Sequence, residues 1–206
     1  MNDLLLIQTQ TGWGQVLRSF ADWCGPQVNW RTLDVGCGPG LLPALLAQRG
    51  CQAFGIDLDA NIFSPRPLHA QVTQANGLHL PFTEGSFHLV TACNVLFMVE
   101  DPISVLKEMA RVTRLDGQVL VLNPSGRMSV SAATRLADQR NLQGLARQSL
   151  IDWAARAEAH HRWGEYEICA LMVGAGLQVA QMTSRVGPGL ALLVRGIKVV
   201  PRRAVH

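Results

Sequence analysis

The residues in this chain best suited to chemistry are two acids and the alternating glycines between them. Asp34, Gly36, Gly38 and Gly40 stand in TLDVGCGPG, and Asp57 follows about 20 residues past the glycines. Glycine has no Cβ and tolerates positive φ, so a glycine turn lets the backbone come close to a ligand. The apolar LLPALLAQR after the turn reads as a helix ended by Gly50, which sets free N–H groups beside that ligand. A carboxylate at the position of Asp57 can accept hydrogen bonds from both hydroxyls of a ribose. Together these residues describe a nucleoside held at the carboxyl end of a first strand. The spacing is D-x-G-x-G-x-G. A dinucleotide fingerprint, G-x-G-x-x-G, needs glycine at position 41, which is Leu41, so a nicotinamide oxidoreductase is the weaker reading.

The elements that must position these residues follow from apolar periodicity. GWGQVLRSFADWC, residues 12–24, places Trp13, Val16, Leu17, Phe20 and Trp23 on one helical face, ended by Gly25-Pro26. This helix reads as packed on the sheet edge, with Trp13 or Phe20 also covering the ligand as the alternative. Strands are expected at 32–35, 51–59, about 70–75 and 87–93. Pro65 and Pro67 keep any helix between the second and third strands short. Pro102 opens a helix through ISVLKEMARVTR, a turn follows at LDG, and QVLVLN is the fifth strand. Residues 126–163 change character and read as two helices hinged near Asn141 and Gly144. A last helix, GEYEICALMVGAG, precedes two strands joined by Gly187-Pro188-Gly189.

The wording GCGPG, preceded by Asp34, resembles the first motif of the class I S-adenosylmethionine-dependent methyltransferases. Residues 76–102 resemble a run found in the small-molecule group of that family related to the quinone-biosynthesis enzymes (methyltransferase type 11), with its L-P-F at 80–82. The matches run in the family's order through Asn123. The resemblance implies a single α/β domain over 1–206: a Rossmann-like, seven-stranded, mostly parallel sheet with an antiparallel last strand. The 126–163 helices become a substrate-covering insert between strands five and six. It implies S-adenosyl-L-methionine as cofactor and methyl transfer to a small-molecule acceptor. The cofactor-binding residues it points to are Asp34, Gly36, Cys37, Gly38, Gly40, Asp57, Leu58, Asn76, Gly77, Cys93 and Asn94. Asp57 is preferred to Asp59 as the ribose holder. Cys93, Asn94 and Phe97, after the fourth strand, are expected near the transferred methyl group.

Two positions depart from the family's pattern. Asn76 stands where the family has an acid that meets the adenine amino group, although an amide oxygen can still accept that bond. His88 replaces an acid with a structural role at the start of the fourth strand, and a structural role is expected of it. The departures keep a second reading open, a non-catalytic S-adenosylmethionine- or S-adenosylhomocysteine-binding partner protein. No catalytic constellation is evident. His160, His161 and Tyr166, where the insert returns to the domain, are the candidates for a general base or a substrate platform. The insert's arginines, Arg127, Arg135, Arg140, Arg147, Arg156 and Arg162, read mainly as a solvated face, with one or two available to an acidic substrate group.

Composition bounds the rest. A chain of 206 residues suits one α/β domain. A net charge of +3, with Lys107 and Lys198 the only lysines, gives no argument for nucleic acid. The Cys, His and carboxylate spacing suggests no metal site. Five cysteines without a C-x-x-C read as reduced thiols of a cytoplasmic protein. MNDLLLIQTQ carries Asp3 early and lacks a basic start, so no leader is expected. No apolar run approaches the ~18–20 residues of a membrane span. The apolar N-terminal helix and the insert offer surfaces for a homodimer.

Overall fold

A computed structural model describes residues 3–63 and 70–200. The Pro65 and Pro67 segment and the basic C-terminal tail therefore lie outside the described residues. The element order is α1 (Asp3–Gln10), α2 (Gly12–Cys24), β1 (Arg31–Val35), α3 (Leu41–Ala47), β2 (Gln52–Asp57), β3 (Gln71–Gln74), β4 (Phe87–Cys93), α4 (Pro102–Val112), β5 (Thr113–Pro124), α5 (Val130–Gln139), α6 (Gly144–Ala159), α7 (Glu165–Gly174), β6 (Leu177–Arg185) and β7 (Ala191–Lys198).

The seven strands form one sheet in the order β3-β2-β1-β4-β5-β7-β6. β3, β2, β1, β4 and β5 pair in parallel, and β7 is antiparallel to both β5 and β6. The chain reverses strand order between β1 and β4, so the carboxyl ends of these two strands flank the crevice where ligands bind in open α/β sheets. β1 is buried at four consecutive positions, as a strand covered on both faces must be.

Each face has its own core. Val90, Val119 and Val121 pack with Leu106 and Met109 of α4 and with Ile168 and Met172 of α7. Leu89, Leu120 and Leu122 point the other way, against Leu17 and Phe20 of α2 and Leu42 and Leu45 of α3. The alternation 119, 120, 121, 122 between the two cores is the period-2 geometry of a strand.

Helix ends follow capping chemistry. Thr11 Oγ1 accepts from the Trp13 N–H at 3.2 Å, Asp101 Oδ1 from Ser104 at 3.0 Å, and Ser129 Oγ from Ala132 at 3.0 Å. Gly25 closes α2 in the left-handed region, φ 60°. Arg195, a charge inside an otherwise apolar β7, is explained at that same end. Its guanidinium donates to the carbonyls of Trp23 and Cys24 and to Gln118 Oε1, and lies 4.9 Å from the Trp23 ring centroid.

Three details differ from the sequence reading. Residues 3–10, assigned no element there, form α1. The LDG turn lies inside β5 as a bulge. β4–β5 pairing jumps from Phe87↔Thr113 to Leu89↔Gln118, and Asp116 absorbs the excess at φ 59°. β2 ends at Asp57 rather than Asp59, because Asp59 turns away to cap a short 3-10 turn, accepting from the Asn61 N–H at 2.9 Å. The hinge at Asn141 and Gly144 separates α5 from α6, with both residues at φ 51°.

Candidate active site

The glycine turn leaves β1 at Gly36, φ 70°, where an added Cβ would sit 2.3 Å from Val95 Cγ2. Only glycine accepts both that backbone angle and that approach. The turn is pinned to β2 by two hydrogen bonds. The Cys37 N–H donates to the Ile56 carbonyl at 2.9 Å, and the Gly38 N–H donates to Asp57 Oδ2 at 2.8 Å. The Asp59 N–H donates to Asp57 Oδ1 at 3.2 Å. A carboxylate has about four acceptor sites, so about two on Asp57 stay available to a ligand.

Beneath the turn, Asp34 is 2% exposed. Its Oδ1 accepts from the Thr91 hydroxyl of β4 at 2.7 Å. Burial pushes its carboxyl up to about 7. The Thr91 bond opposes that rise and the Asp57 charge adds to it. Burial likewise raises the thiols of Cys37 and Cys93, so they wall the site as neutral groups.

These residues line a cavity of about 640 Å³ above the carboxyl ends of β1, β2 and β4. Of the eleven cofactor-binding residues expected from the sequence, ten line it; Gly40 does not. Gly40 lies below, capping α3 at φ 91°. Asn76 lines it with its Oδ1 already accepting from the Leu78 N–H at 2.9 Å, so one of the two lone pairs of that oxygen is spent on a local turn. Phe97 lines it as well. The L-P-F loop beside it is clamped from α4. Arg111 donates to the carbonyls of Leu80 and Phe82 at 3.0 and 2.9 Å, and Glu108 accepts from the Leu80 N–H at 2.8 Å.

The insert covers the cavity as a helix of the expected segment, while α1 was assigned no role. Leu4, Ile7 and Gln8 of α1 and Ser149, Asp152, Trp153 and Arg156 of α6 close over the cavity. The α6 residues recur at three- and four-residue steps, a signal present in the sequence. The indole N–H of Trp153 donates to Asn94 Oδ1 at 3.1 Å, and Asn94 itself holds φ 58°. Trp153 packs on Trp13, ring centroids 5.1 Å apart. Trp13 lines this cavity, whereas Phe20, buried in the α2 face, does not.

Charge is partitioned. Asp34, Asp57, Glu100, Asp101 and Asp152 line the cavity, and Arg156 is its one basic residue among the described residues. A second cavity, about 350 Å³, shares Ile7, Trp13, Ser149 and Trp153 with the first and holds two arginines and no acid among the described residues.

The other candidates lie elsewhere. His160, His161 and Tyr166 line neither cavity. Tyr166 is 86% exposed, His161 packs on Trp163 with its Nε2 3.8 Å from Glu167, and His160 meets Phe97 edge-on. His88 stacks on Trp30, and its Nδ1 accepts from the Arg31 N–H at 3.2 Å at the far end of β4, a structural placement. Of the insert's arginines, Arg127 and Arg162 bind backbone carbonyls, Arg135 binds Ser131 and Arg147 pairs with Asp138. Arg140 and Arg156 face the cavities. Among the described residues no three or more His, Cys, Asp or Glu gather as a metal site, and no helix is long and apolar enough to cross a membrane.

Residues 33–121 match the protein family described as "Methyltransferase domain". An uncharacterized methyltransferase of a Mycobacterium species is 39% identical over 93 residues, 41% of this chain and 35% of that protein, so the chain spans about a third of that relative's length. A ubiquinone biosynthesis O-methyltransferase of Aeromonas salmonicida is 28% identical over 174 residues, 79% of this chain and 68% of the relative. Among solved structures, the fold resembles the magnesium protoporphyrin IX methyltransferase of Synechocystis, solved with bound S-adenosylhomocysteine. The TM-score is 0.66 at 14% identity, over 91% of this chain and 84% of that one. On its ordered motifs and its domain match over residues 33–121, the chain is similar to the class I S-adenosylmethionine-dependent methyltransferases, and its sheet has the fold of their solved structures.

Proposed function

We propose that this protein transfers a methyl group from S-adenosylmethionine to a small-molecule acceptor, with the donor held in the acid-lined cavity. The observation that carries the reading is the coupling of Asp57 to the glycine turn, Gly38 N–H to Oδ2 at 2.8 Å, inside that cavity. The cofactor, a cationic sulfonium, supplies the reactive methyl. The residues suit it: five acids against one arginine favour a ligand bearing sulfonium and ammonium charges, and about 640 Å³ is the size of a nucleoside site.

The chain's own work is then binding and alignment. Asp57 takes the ribose hydroxyls, Asn76 and the Gly77 amide meet the base, and the glycine turn with Asp34 takes the amino-acid end. Leu58, Cys93 and Asn94 complete the wall. α1 and α6 exclude water, and the Trp153–Asn94 bond holds the end of β4, where donor and acceptor must lie in line. Methyl transfer needs a base only for an acceptor that is poorly ionised.

Calorimetric titration with S-adenosylmethionine, S-adenosylhomocysteine and NAD tests the reading. Both sulfur nucleosides are expected to bind and NAD is not. Asp57→Ala loses two charge-assisted bonds, about 3 kcal/mol, or on the order of 100-fold in Kd. Folded protein that takes up neither sulfur nucleoside would refute it. Binding without turnover across an acceptor panel would favour the non-catalytic partner reading.

A further inference from the structure

Taking the methyltransferase reading as its base, we propose that the 350 Å³ cavity is the acceptor site and that it takes a molecule with an apolar body and one anionic group. The cavity lies beside the donor chamber and shares with it only the Ile7, Trp13, Ser149 and Trp153 boundary. A molecule seated there presents an atom to the donor at the tryptophan pair. Its remaining walls are largely apolar: Val16 and Phe20 of α2, Leu122 and Leu193 of the sheet, and Leu136 and Leu150 of the insert.

The basic residues stand away from that boundary. Arg140 and Arg185 line this cavity and not the donor chamber. They belong to one rim, because Leu136, one turn before Arg140, abuts Gly187, two residues past Arg185. A Cβ on Gly187 would meet Leu136 at 2.6 Å. Neither arginine has a carboxylate partner among the described residues. Arg185 donates only to Thr183 Oγ1 and the Ser184 carbonyl, and no side-chain bond of Arg140 is found among the described residues. Both are exposed, and among the described arginines only Arg49, Arg111 and Arg147 pair with acids. Two guanidinium groups beside an apolar cavity bind carboxylate or phosphate oxygens by their paired N–H donors.

The anionic group is thus a handle at the rim, and the nucleophile is a different atom at the tryptophan end. That atom's lone pair forms the new bond to the methyl carbon as the carbon–sulfur bond breaks. The bonding pair stays on sulfur, and the acceptor's proton leaves to water. The partition of charge keeps the two ligands apart: the acidic chamber repels an anion, and the basic rim repels a sulfonium.

The test uses decanoate, decyl phosphate and decan-1-ol as probes, titrated into the protein alone and with S-adenosylhomocysteine present. Three proteins are compared: wild type, Arg140→Gln/Arg185→Gln, and Ala146→Trp, which fills the cavity. The better anion is expected to bind at least tenfold tighter than the alcohol. The double variant should bind acid and alcohol alike, and Ala146→Trp should bind neither. All three should bind S-adenosylhomocysteine equally, which reports an intact fold. The stronger of decanoate and decyl phosphate identifies the anion as carboxylate or phosphate. An alcohol that binds as well as either acid, a preference that survives the double variant, or no binding of any probe overturns the proposal. Arginine-dependent anion binding without S-adenosylhomocysteine binding would instead refute the donor reading and leave this site standing.

Discussion

Asp34→Asn separates the energetics of the buried acid from the rest of the fold. The Asp34 carboxyl is pushed up to about 7 from an ordinary 3.8, chiefly by burial. The folded chain therefore holds this proton more tightly than the unfolded chain. Stability falls as pH rises from about 4 to about 7, by about 1.4 kcal/mol per pH unit, and is flat above. Between pH 5 and pH 8 the wild type should lose about 3 kcal/mol from this group alone. Asparagine cannot ionise, and its oxygen can still accept from Thr91, so the variant lacks that slope. A constant offset from the buried amide does not affect the comparison. Urea denaturation at pH 5, 6, 7 and 8 should show the variant gaining about 3 kcal/mol on the wild type across the series. A gap constant to within about 0.5 kcal/mol would refute the reasoning, because Asp34 would then be ionised throughout. The proposed donor adds a second readout. A cation bound over Asp34 pulls its carboxyl back down, so donor binding releases a proton below pH 7 and weakens, by up to about tenfold per unit, as pH falls. Calorimetry in two buffers of different ionisation enthalpy would detect that proton in the wild type and none in the variant.

Two further substitutions probe the geometry. Gly36→Ala forces a Cβ to within 2.3 Å of Val95 Cγ2 at φ 70°, and should lower stability by about 1–3 kcal/mol in thermal or urea melts. Adding Val95→Ala should recover the steric part and leave the backbone part. Trp153→Phe keeps the ring on Trp13 but removes the N–H bond to Asn94 Oδ1. About 1 kcal/mol of stability should go with that bond, and kcat should fall while the Kd for S-adenosylhomocysteine holds. An unchanged kcat would remove Asn94 from the alignment of donor and acceptor.

The donor side of the site was legible because each part of it is local in sequence. Asp34 with its glycines, Asp57, Asn76-Gly77 and Cys93-Asn94 each sit at the end of one strand. Once the strands were ordered, their carboxyl ends had to meet, and ten of the eleven residues do line one cavity. α1 was illegible for the opposite reason. Leu4, Leu5, Leu6 and Ile7 form an unbroken apolar run with no helical period. Docking explains the helix: Leu4 lies over Gly38, close enough that a Cβ there would meet it at 3.1 Å. Helix of eight residues needs such tertiary support. His160, His161 and Tyr166 drew notice as a cluster of reactive side chains, but α6 ends at Ala159, and it is the earlier turns bearing Ser149, Asp152, Trp153 and Arg156 that pass over the crevice.

For the second cavity the sequence offers only the covering insert and its arginines, and the make-up of the cavity shows why its outline is not legible. Six of its lining residues come from α2, and others are drawn in ones and small groups from α1, β5, α5, the α5–α6 loop, α6, β6, the β6–β7 turn and β7. Arg185 reads in isolation as an ordinary strand-end charge, and Arg140 as one of six insert arginines, most of them a solvated face and one or two available to an acidic group. They line one cavity because the β6–β7 turn is pressed onto α5 at Gly187 and Leu136. The proposed donor half of the domain is written in motifs because each of its parts is a short run at one strand end. The proposed acceptor half is assembled from tertiary packing, so its chemistry is better read from which charges line the cavity than from any run of letters.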